Sequence, residues 1–293
     1  MMHSIFVPED FLPFLNGSIK VDFIASAYKA ALKKILYDGI DFDDERGDKM
    51  RTFFNLMVTI RKPLENLEEL EKMNKKGLFP YNKEFLDSYA NQLIYGTMKP
   101  ELIKKEFIIP KRCGLLGAIL NYYNLNKKVK IIYDVKQLTD VDLGFIYTYF
   151  ERLRKRWSRL SKHPFQSLEG YEVTDSEYID QIAEVIKILN KNKNTRRAVC
   201  TTWIPSVDLR KEECPCLNWL VFYNTNGKLN LSTGFRSHDI GGAVVENWYG
   251  LARLLEYVAL RTGLEIGSLT TISINAHYNK LFEEDIKRVL KES

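Results

Sequence analysis

The stretch GFRSHDIGGAVVEN, Gly234 to Asn247, gathers an arginine, a serine, an aspartate and an asparagine into one glycine-punctuated run ahead of an apolar segment. Arg236 beside Ser237 reads as a fork for an anion, and the Asn247 amide, with a donor side and an acceptor side, can read a flat polar ring. A second set of reactive types lies just upstream, where Cys214 and Cys216 share the run EECPCLNW. A buried structural thiol, part of a zinc site and a nucleophile are all open there. The zinc reading is incomplete, because C-x-C has no second paired motif or close histidine pair to finish a ligand set, so no metal is expected.

The elements that must position these groups follow from periodicity. LNWLVFY and KLNLSTGF flank Asn226-Gly227, which supplies the positive backbone angles of a tight hairpin. In that hairpin the strand starting at Cys216 runs beside the strand ending at Arg236, so thiol and guanidinium meet at one end. A fixed cation there favours the thiolate. Arg196 and Arg197 open the strand RRAVCTTWI, and Arg46 interrupts the acidic turn DFDDERGDKM. Adjacent arginines at a strand start are usually solvated, but together with Arg236 and Ser237 these would make a dianion site if the fold gathers them.

Around this framework, ASAYKAALKKILYDG reads as an amphipathic helix stopped at Gly39, RTFFNLMVTI as a strand ended by Pro63, and 64–76 and NKEFLDSYANQLIYG as helices. Ser176 is a candidate cap for a helix with Ile179, Ile182, Val185, Ile186 and Leu189 on one face. NWYGLARLLEYVALRTG is a core helix closed by Gly263, SLTTISINAHYN a last strand and EEDIKRVLK a terminal helix. Residues 104–174 carry little pattern beyond the alternating KVKIIYDVK. The basic run ERLRKRWSRLSKH there reads as a solvated helix face, with a polyanion or partner contact as the alternative.

Composition narrows the class. The chain has 293 residues, 45% hydrophobic and 28% charged, which is that of an ordinary globular protein with room for a large core. The net charge of +5 is mild and mixed with acids, which suits an anionic small ligand rather than nucleic acid. Four cysteines are too few for a disulfide framework, no apolar run has membrane-spanning length, and Glu9 and Asp10 break the apolar N-terminus, so a secretory signal is not expected. A cytoplasmic protein without membrane contact is the expectation. No repeats or linkers interrupt the chain, and a single domain over 1–293 is expected.

TRRAVCTTWI, the pair Pro215-Cys216 ahead of Phe222-Tyr223, GKLNLSTGFRSHD, Glu246-Asn247 before a long apolar helix, GLEIGSL and NAHYN resemble, in that order, the thymidylate synthase and deoxycytidylate hydroxymethylase family. The spacing from Arg196 through Trp203, Cys216, Arg236, Asp239 and Asn247 to His277 fits the family pattern without a gap. The resemblance is best over 175–293. It is weaker before that, where DERG at 44–47 is similar to the family's phosphate-arginine segment, and residues 1–25 read as an N-terminal extension. The resemblance implies an α+β fold with a mixed sheet flanked by helices, sheets packing in a homodimer, and transfer of a one-carbon unit to C5 of dUMP through a Cys-C6 adduct.

In that reading Cys216 is the nucleophile, Arg236, Ser237 and Arg46 hold the 5′-phosphate, and Arg196 and Arg197 reach it from the partner subunit. Asn247 pairs with the base, Asp239 orders the site, His277 contacts the sugar, and Tyr278 is a further substrate contact beside Asn279, which occupies the place of a sugar-binding tyrosine. The carrier implied is a reduced pterin, either 5,10-methylenetetrahydrofolate or a methanopterin analogue. Leu217, Val221 and Phe235 depart from the family's usual residues, and the chain stops at Ser293, where folate-dependent members continue into a closing segment. Hydroxymethylation of dUMP or dCMP, or nucleotide binding without turnover, are the alternatives.

Overall fold

The alternating runs of the chain assemble into one seven-stranded mixed sheet in the order Ser18–Val21, Lys49–Ile60, Glu265–Asn279, Lys228–Asp239, Leu217–Thr225, Val199–Thr201, with Ile40–Asp43 paired to Lys49–Ile60. The computed structural model describes residues 17–78, 81–96, 148–154, 156–158, 177–211 and 214–292. Its sheet strands are β1 (Ser18–Val21), β2 (Ile40–Asp43), β3 (Lys49–Ile60), β6 (Val199–Thr201), β7 (Leu217–Thr225), β8 (Lys228–Asp239) and β9 (Glu265–Asn279). A separate two-stranded sheet pairs β4 (Arg156–Ser158) with β5 (Glu177–Ile179). The described helices are α1 (Ile24–Asp38), α2 (Glu68–Lys75), α3 (Lys83–Tyr95), α4 (Tyr149–Arg154), α5 (Gln181–Lys191), α6 (Pro205–Asp208), α7 (Val244–Thr262) and α8 (Glu283–Glu292).

β1 with β3 and β8 with β9 run parallel, and the other pairs run antiparallel. A parallel pair needs a crossover, and α7 supplies it between β8 and β9, ending at Gly263 in the left-handed conformation with φ 64°. The β7–β8 hairpin turns at Asn226 and Gly227, both at positive φ, as their residue types require. α1 buries Ile24, Ala27, Ala31, Leu32 and Ile35 in the same apolar cluster that takes Trp248, Leu251, Leu254, Leu255 and Val258 from α7. The fold is thus α+β with helices flanking a mixed sheet.

The strands bend where they approach the reactive residues. Phe235 and His238 are both buried, at 1% and 1% exposure, although an unbent strand would send residues three apart to opposite faces. Their rings stack at 3.8 Å between centroids and 2° between planes. Inward-facing positions shift in the same way between Ser273 and Ala276 of β9 and between Phe53 and Leu56 of β3, where Asn55 has φ 60°. The bend re-aims the ends of β8 and β9, and His238 fills it as a neutral ring, its pKa pushed down to about 3 by burial, with Nδ1 2.8 Å from Ser273 Oγ.

Several local expectations change. Residues 18–21, assigned to an N-terminal extension, are strand β1 against β3, and α1 follows at once. The helix cap is Asp180, whose carboxylate accepts from Ala183 N at 3.0 Å, instead of Ser176, and Ile179 lies in β5. The basic run is not simply a solvated face: Arg152 is 8% exposed and bonds both oxygens of Asp208 at 3.2 and 2.8 Å, while Arg154 bonds Asp180 at 2.7 Å. Removing either partner of the Arg152–Asp208 pair would strand a buried charge. Strand β6 is shorter than RRAVCTTWI, leaving Arg196 and Arg197 ahead of it. KVKIIYDVK lies outside the described residues. Among the described residues no helix is long and apolar enough to cross a membrane.

Candidate active site

Arg236 and Cys216 come together as hairpin pairing requires. The Arg236 amide donates to the Cys216 carbonyl at 2.9 Å, extending the β7–β8 ladder by one bond past Leu217↔Phe235. The Arg236 side chain folds back on the same loop: Nε donates to the Pro215 carbonyl at 3.1 Å, and Nη2 donates to the Cys214 carbonyl at 2.9 Å and to Cys216 Sγ at 3.9 Å. One guanidinium therefore holds the loop that carries the thiol and charges the space beside it. Arg46 adds a second positive charge to Cys216 from the β2–β3 turn, in which Asp44 Oδ1 accepts from Arg46 N and Asp48 N.

These cations do not win outright. Burial pushes the Cys216 thiol above its ordinary pKa, Arg236 and Arg46 pull it down, and Cys214 and Asp239 push it up. The neighbouring cations do favour the thiolate, as hairpin pairing leads one to expect, but desolvation of the half-buried sulfur is the larger effect.

Asp239 ends β8 opposite His277 of β9 in the parallel ladder. Its Oδ1 accepts from Gly242 N at 2.9 Å, and the amides of Gly241 and Ala243 also point at it, so the carboxylate organises the turn into α7. Burial raises its pKa, opposed by His277 and those three amides. Ile240 N donates to the His277 carbonyl at 2.7 Å, which locks the turn to β9.

α7 then presents Glu246 and Asn247 on its first turn. The Tyr89 hydroxyl of α3 donates to Asn247 Oδ1 at 2.6 Å. Glu246 is 7% exposed and bonded by Tyr81, its Oε2 has no hydrogen-bond partner, and burial first, then the nearby Asp239, raises its carboxyl well above the usual range. Burial therefore favours the protonated form of this side chain.

Arg236, Arg46 and Asp239 are thus each close enough to act on the charge of Cys216, and His277 on that of Asp239, with Ser237 next along β8 and half-buried. Three expected residues lie elsewhere. Arg196 and Arg197 are exposed just before β6, whose Val199 pairs with Val221, so they sit near the far end of β7, roughly 20 Å along the strand from Cys216. Tyr278 is 0% exposed and its hydroxyl donates to Glu283 at 3.3 Å. A sugar contact by Tyr278 is corrected, because strand alternation turns it away from His277; a Cβ on Gly241 would meet Tyr278 Cβ at 2.8 Å, so the tyrosine packs under the Asp239 turn.

Sequence reading missed Tyr89, Tyr81 and Glu246. The tyrosines lie in or just before a helix that reads as merely amphipathic, 158 residues from Asn247 in the case of Tyr89. Glu246 had a signal, since a carboxyl sits among apolar residues in GGAVVEN. Gly250, in the middle of α7, was another. Among the described residues no group of three metal-binding side chains occurs.

A family model described as thymidylate synthase matches residues 115–293. Among curated proteins, the chain is 32% identical over 273 residues to one from Methanococcoides burtonii, covering 93% of this chain and 94% of that protein. It is 33% identical to one from Methanosarcina acetivorans, covering 88% of each. It is 28% identical to one from Methanothermobacter thermautotrophicus, covering 94% and 98%. Each carries the provisional name of a thymidylate synthase.

Proposed function

The chain belongs to the thymidylate synthase family, and from that premise we propose that it transfers a one-carbon unit to C5 of dUMP, giving dTMP, through a covalent bond between Cys216 Sγ and C6 of the base. The observation that carries this reading is the Arg236 guanidinium 3.9 Å from the Cys216 sulfur while bonded to the carbonyls on either side of Pro215's peptide links. A cation held there can serve both the nucleophile and a nucleotide phosphate.

The phosphate dianion suits Arg236, Ser237 and Arg46, since guanidinium forks match phosphate oxygens in pairs. The thiol must give up its proton against the burial effect, and Arg236 and Arg46 stabilise the thiolate formed. Sulfur addition to C6 shifts an electron pair through C5 and C4 onto O4. Asn247 Nδ2 donates to that oxygen, while Oδ1 accepts N3–H, so the amide stabilises charge where it develops. Asp239 keeps the turn beneath the base ordered, and His277 lies beside it for the sugar.

The family implies a reduced pterin carrier, and the residues present fit one. The unpartnered Glu246 Oε2 and the nearby Asp239 carboxyl suit the amino and N–H groups of a pterin ring. When bound, the carrier, 5,10-methylenetetrahydrofolate or a methanopterin analogue, would supply the one-carbon unit at the methylene level and the hydride that reduces it to methyl, leaving as the dihydropterin.

Two observations support a homodimer with shared sites. One face of the sheet carries Met57, Ile272 and Trp219 in one row and Val221 and Val199 in the next, all exposed or half-buried. Arg196 and Arg197 border this face, too far from Cys216 to serve the same chain's site. Packing two such faces together buries the apolar rows and brings each arginine pair toward a partner.

The test is to incubate the protein with C5-tritiated dUMP, with and without tetrahydrofolate and methanopterin carriers, and to measure released tritium and the nucleotide product. Tritium release with dTMP supports the proposal, whereas 5-hydroxymethyl product selects the alternative reaction. No release with any carrier, and no 5-fluoro-dUMP adduct on Cys216, rejects it.

A further inference from the structure

We propose that Tyr89 sets the base preference of this site by holding the Asn247 amide in one orientation, making it selective for uracil over cytosine; this rests on the pyrimidine-nucleotide reading above. An asparagine amide is nearly symmetrical in shape, and turning it over about its terminal bond exchanges donor and acceptor. Left to itself, Asn247 could serve uracil in one orientation and cytosine in the other. Selectivity needs something that prevents the turn.

The Tyr89 hydroxyl, 2.6 Å from Asn247 Oδ1, does this. The amide oxygen is a strong acceptor and the phenol a good donor but a poor acceptor. Turning the amide over would set its NH2 against the phenol oxygen and lose the short bond. With Oδ1 held toward Tyr89, its second lone pair remains for N3–H of uracil and Nδ2 remains for O4. Cytosine presents an amino group where O4 stands and a bare N3, so both contacts fail.

The tyrosine is itself seated by the helix that carries Asn247. Gly250 lies three residues further along α7, on the same side, and a Cβ there would come 2.8 Å from Tyr89 Cε1 and 3.0 Å from Cδ1. Glycine inside a helix is less stable than alanine, so the residue type at 250 is explained by the ring resting on it. Hydroxyl bond and ring seat fix Tyr89 at both ends of its side chain.

The experiment compares wild type, Tyr89→Phe and Gly250→Ala for equilibrium binding and C5-hydrogen exchange with dUMP and dCMP. Tyr89→Phe keeps the ring in its seat and deletes the hydroxyl. Its dUMP-to-dCMP preference is expected to fall about tenfold, with dUMP weakened and dCMP strengthened, the effect of freeing one part-buried hydrogen bond. Gly250→Ala displaces the ring and shifts the ratio the same way. If Tyr89→Phe lowers both nucleotides equally, Tyr89 is only a packing residue and the inference is overturned, while wild-type exchange of dUMP leaves the proposed function standing. Wild type that binds and exchanges neither nucleotide overturns both. Should Gly250→Ala fail to fold, Tyr89→Phe alone decides.

Discussion

The Arg236 guanidinium and the Cys216 sulfur lie 3.9 Å apart although 20 residues separate them, because the β7–β8 hairpin folds one onto the other. Charge and burial act in opposite directions on that thiol, and burial is the larger. Alkylation of Cys216 by iodoacetamide, followed on its own peptide by mass, is expected to need a higher pH than that of an ordinary thiol. Arg236→Gln removes the main opposing charge, moves the profile further up and slows alkylation at pH 8 by about three- to tenfold. A profile unmoved by the substitution would separate Arg236 from the nucleophile.

Arg196 and Arg197 stand at the wrong end of the sheet to serve Cys216 of the same chain. Cys216→Ala and Arg196→Ala chains, each inactive alone, are expected to recover about a quarter of wild-type activity when mixed dimers form, since one site in each mixed dimer is intact. Mixed dimers that form without any recovery would count against a site shared between subunits.

Asn247→Asp tests the base reading from the other side of the Tyr89 bond. Tyr89 still donates to one carboxylate oxygen, but the other now repels O4 and accepts from a cytosine amino group. C5-hydrogen exchange is expected to swing from dUMP toward dCMP by about 1–3 kcal/mol in relative kcat/KM. An unchanged ratio would mean that residue 247 does not face the base.

Glu246 links the site to pH-dependent stability. Its folded pKa is raised by burial, so between the unfolded value and the folded one the native state binds the extra proton. Stability from this group is therefore complete below the unfolded pKa and falls as pH rises toward the folded pKa. Glu246→Gln is expected to flatten the decline of melting temperature as pH rises above the ordinary carboxyl range, leaving a slope of the same sign from Asp239. Above the ordinary carboxyl range the variant is expected to gain stability relative to wild type, since it has no carboxyl that must bind a proton on folding. A wild-type melting temperature independent of pH there would contradict a buried protonated Glu246.

The sequence by itself determined the elements whose signals are local. Alternation and the Asn226-Gly227 turn were enough for the β7–β8 hairpin, and with it the meeting of Cys216 and Arg236, because an antiparallel register follows from the turn alone. Apolar spacing with a terminal glycine was enough for α1, α3 and α7. Only the tertiary structure decided what depends on distant partners. Tyr278 and His277 are neighbours in sequence, yet the sheet sends one into the core and keeps the other by Asp239. Arg152 in a basic run looks solvated until Asp208 closes on it. Tyr89 reaches Asn247 across 158 residues by the packing of α3 on α7, and Gly250 makes sense only once that ring lies on it. The thiol's balance also belongs to this level, since a charge beside Cys216 can be read from pairing, but the depth of burial that outweighs it is set by the whole fold.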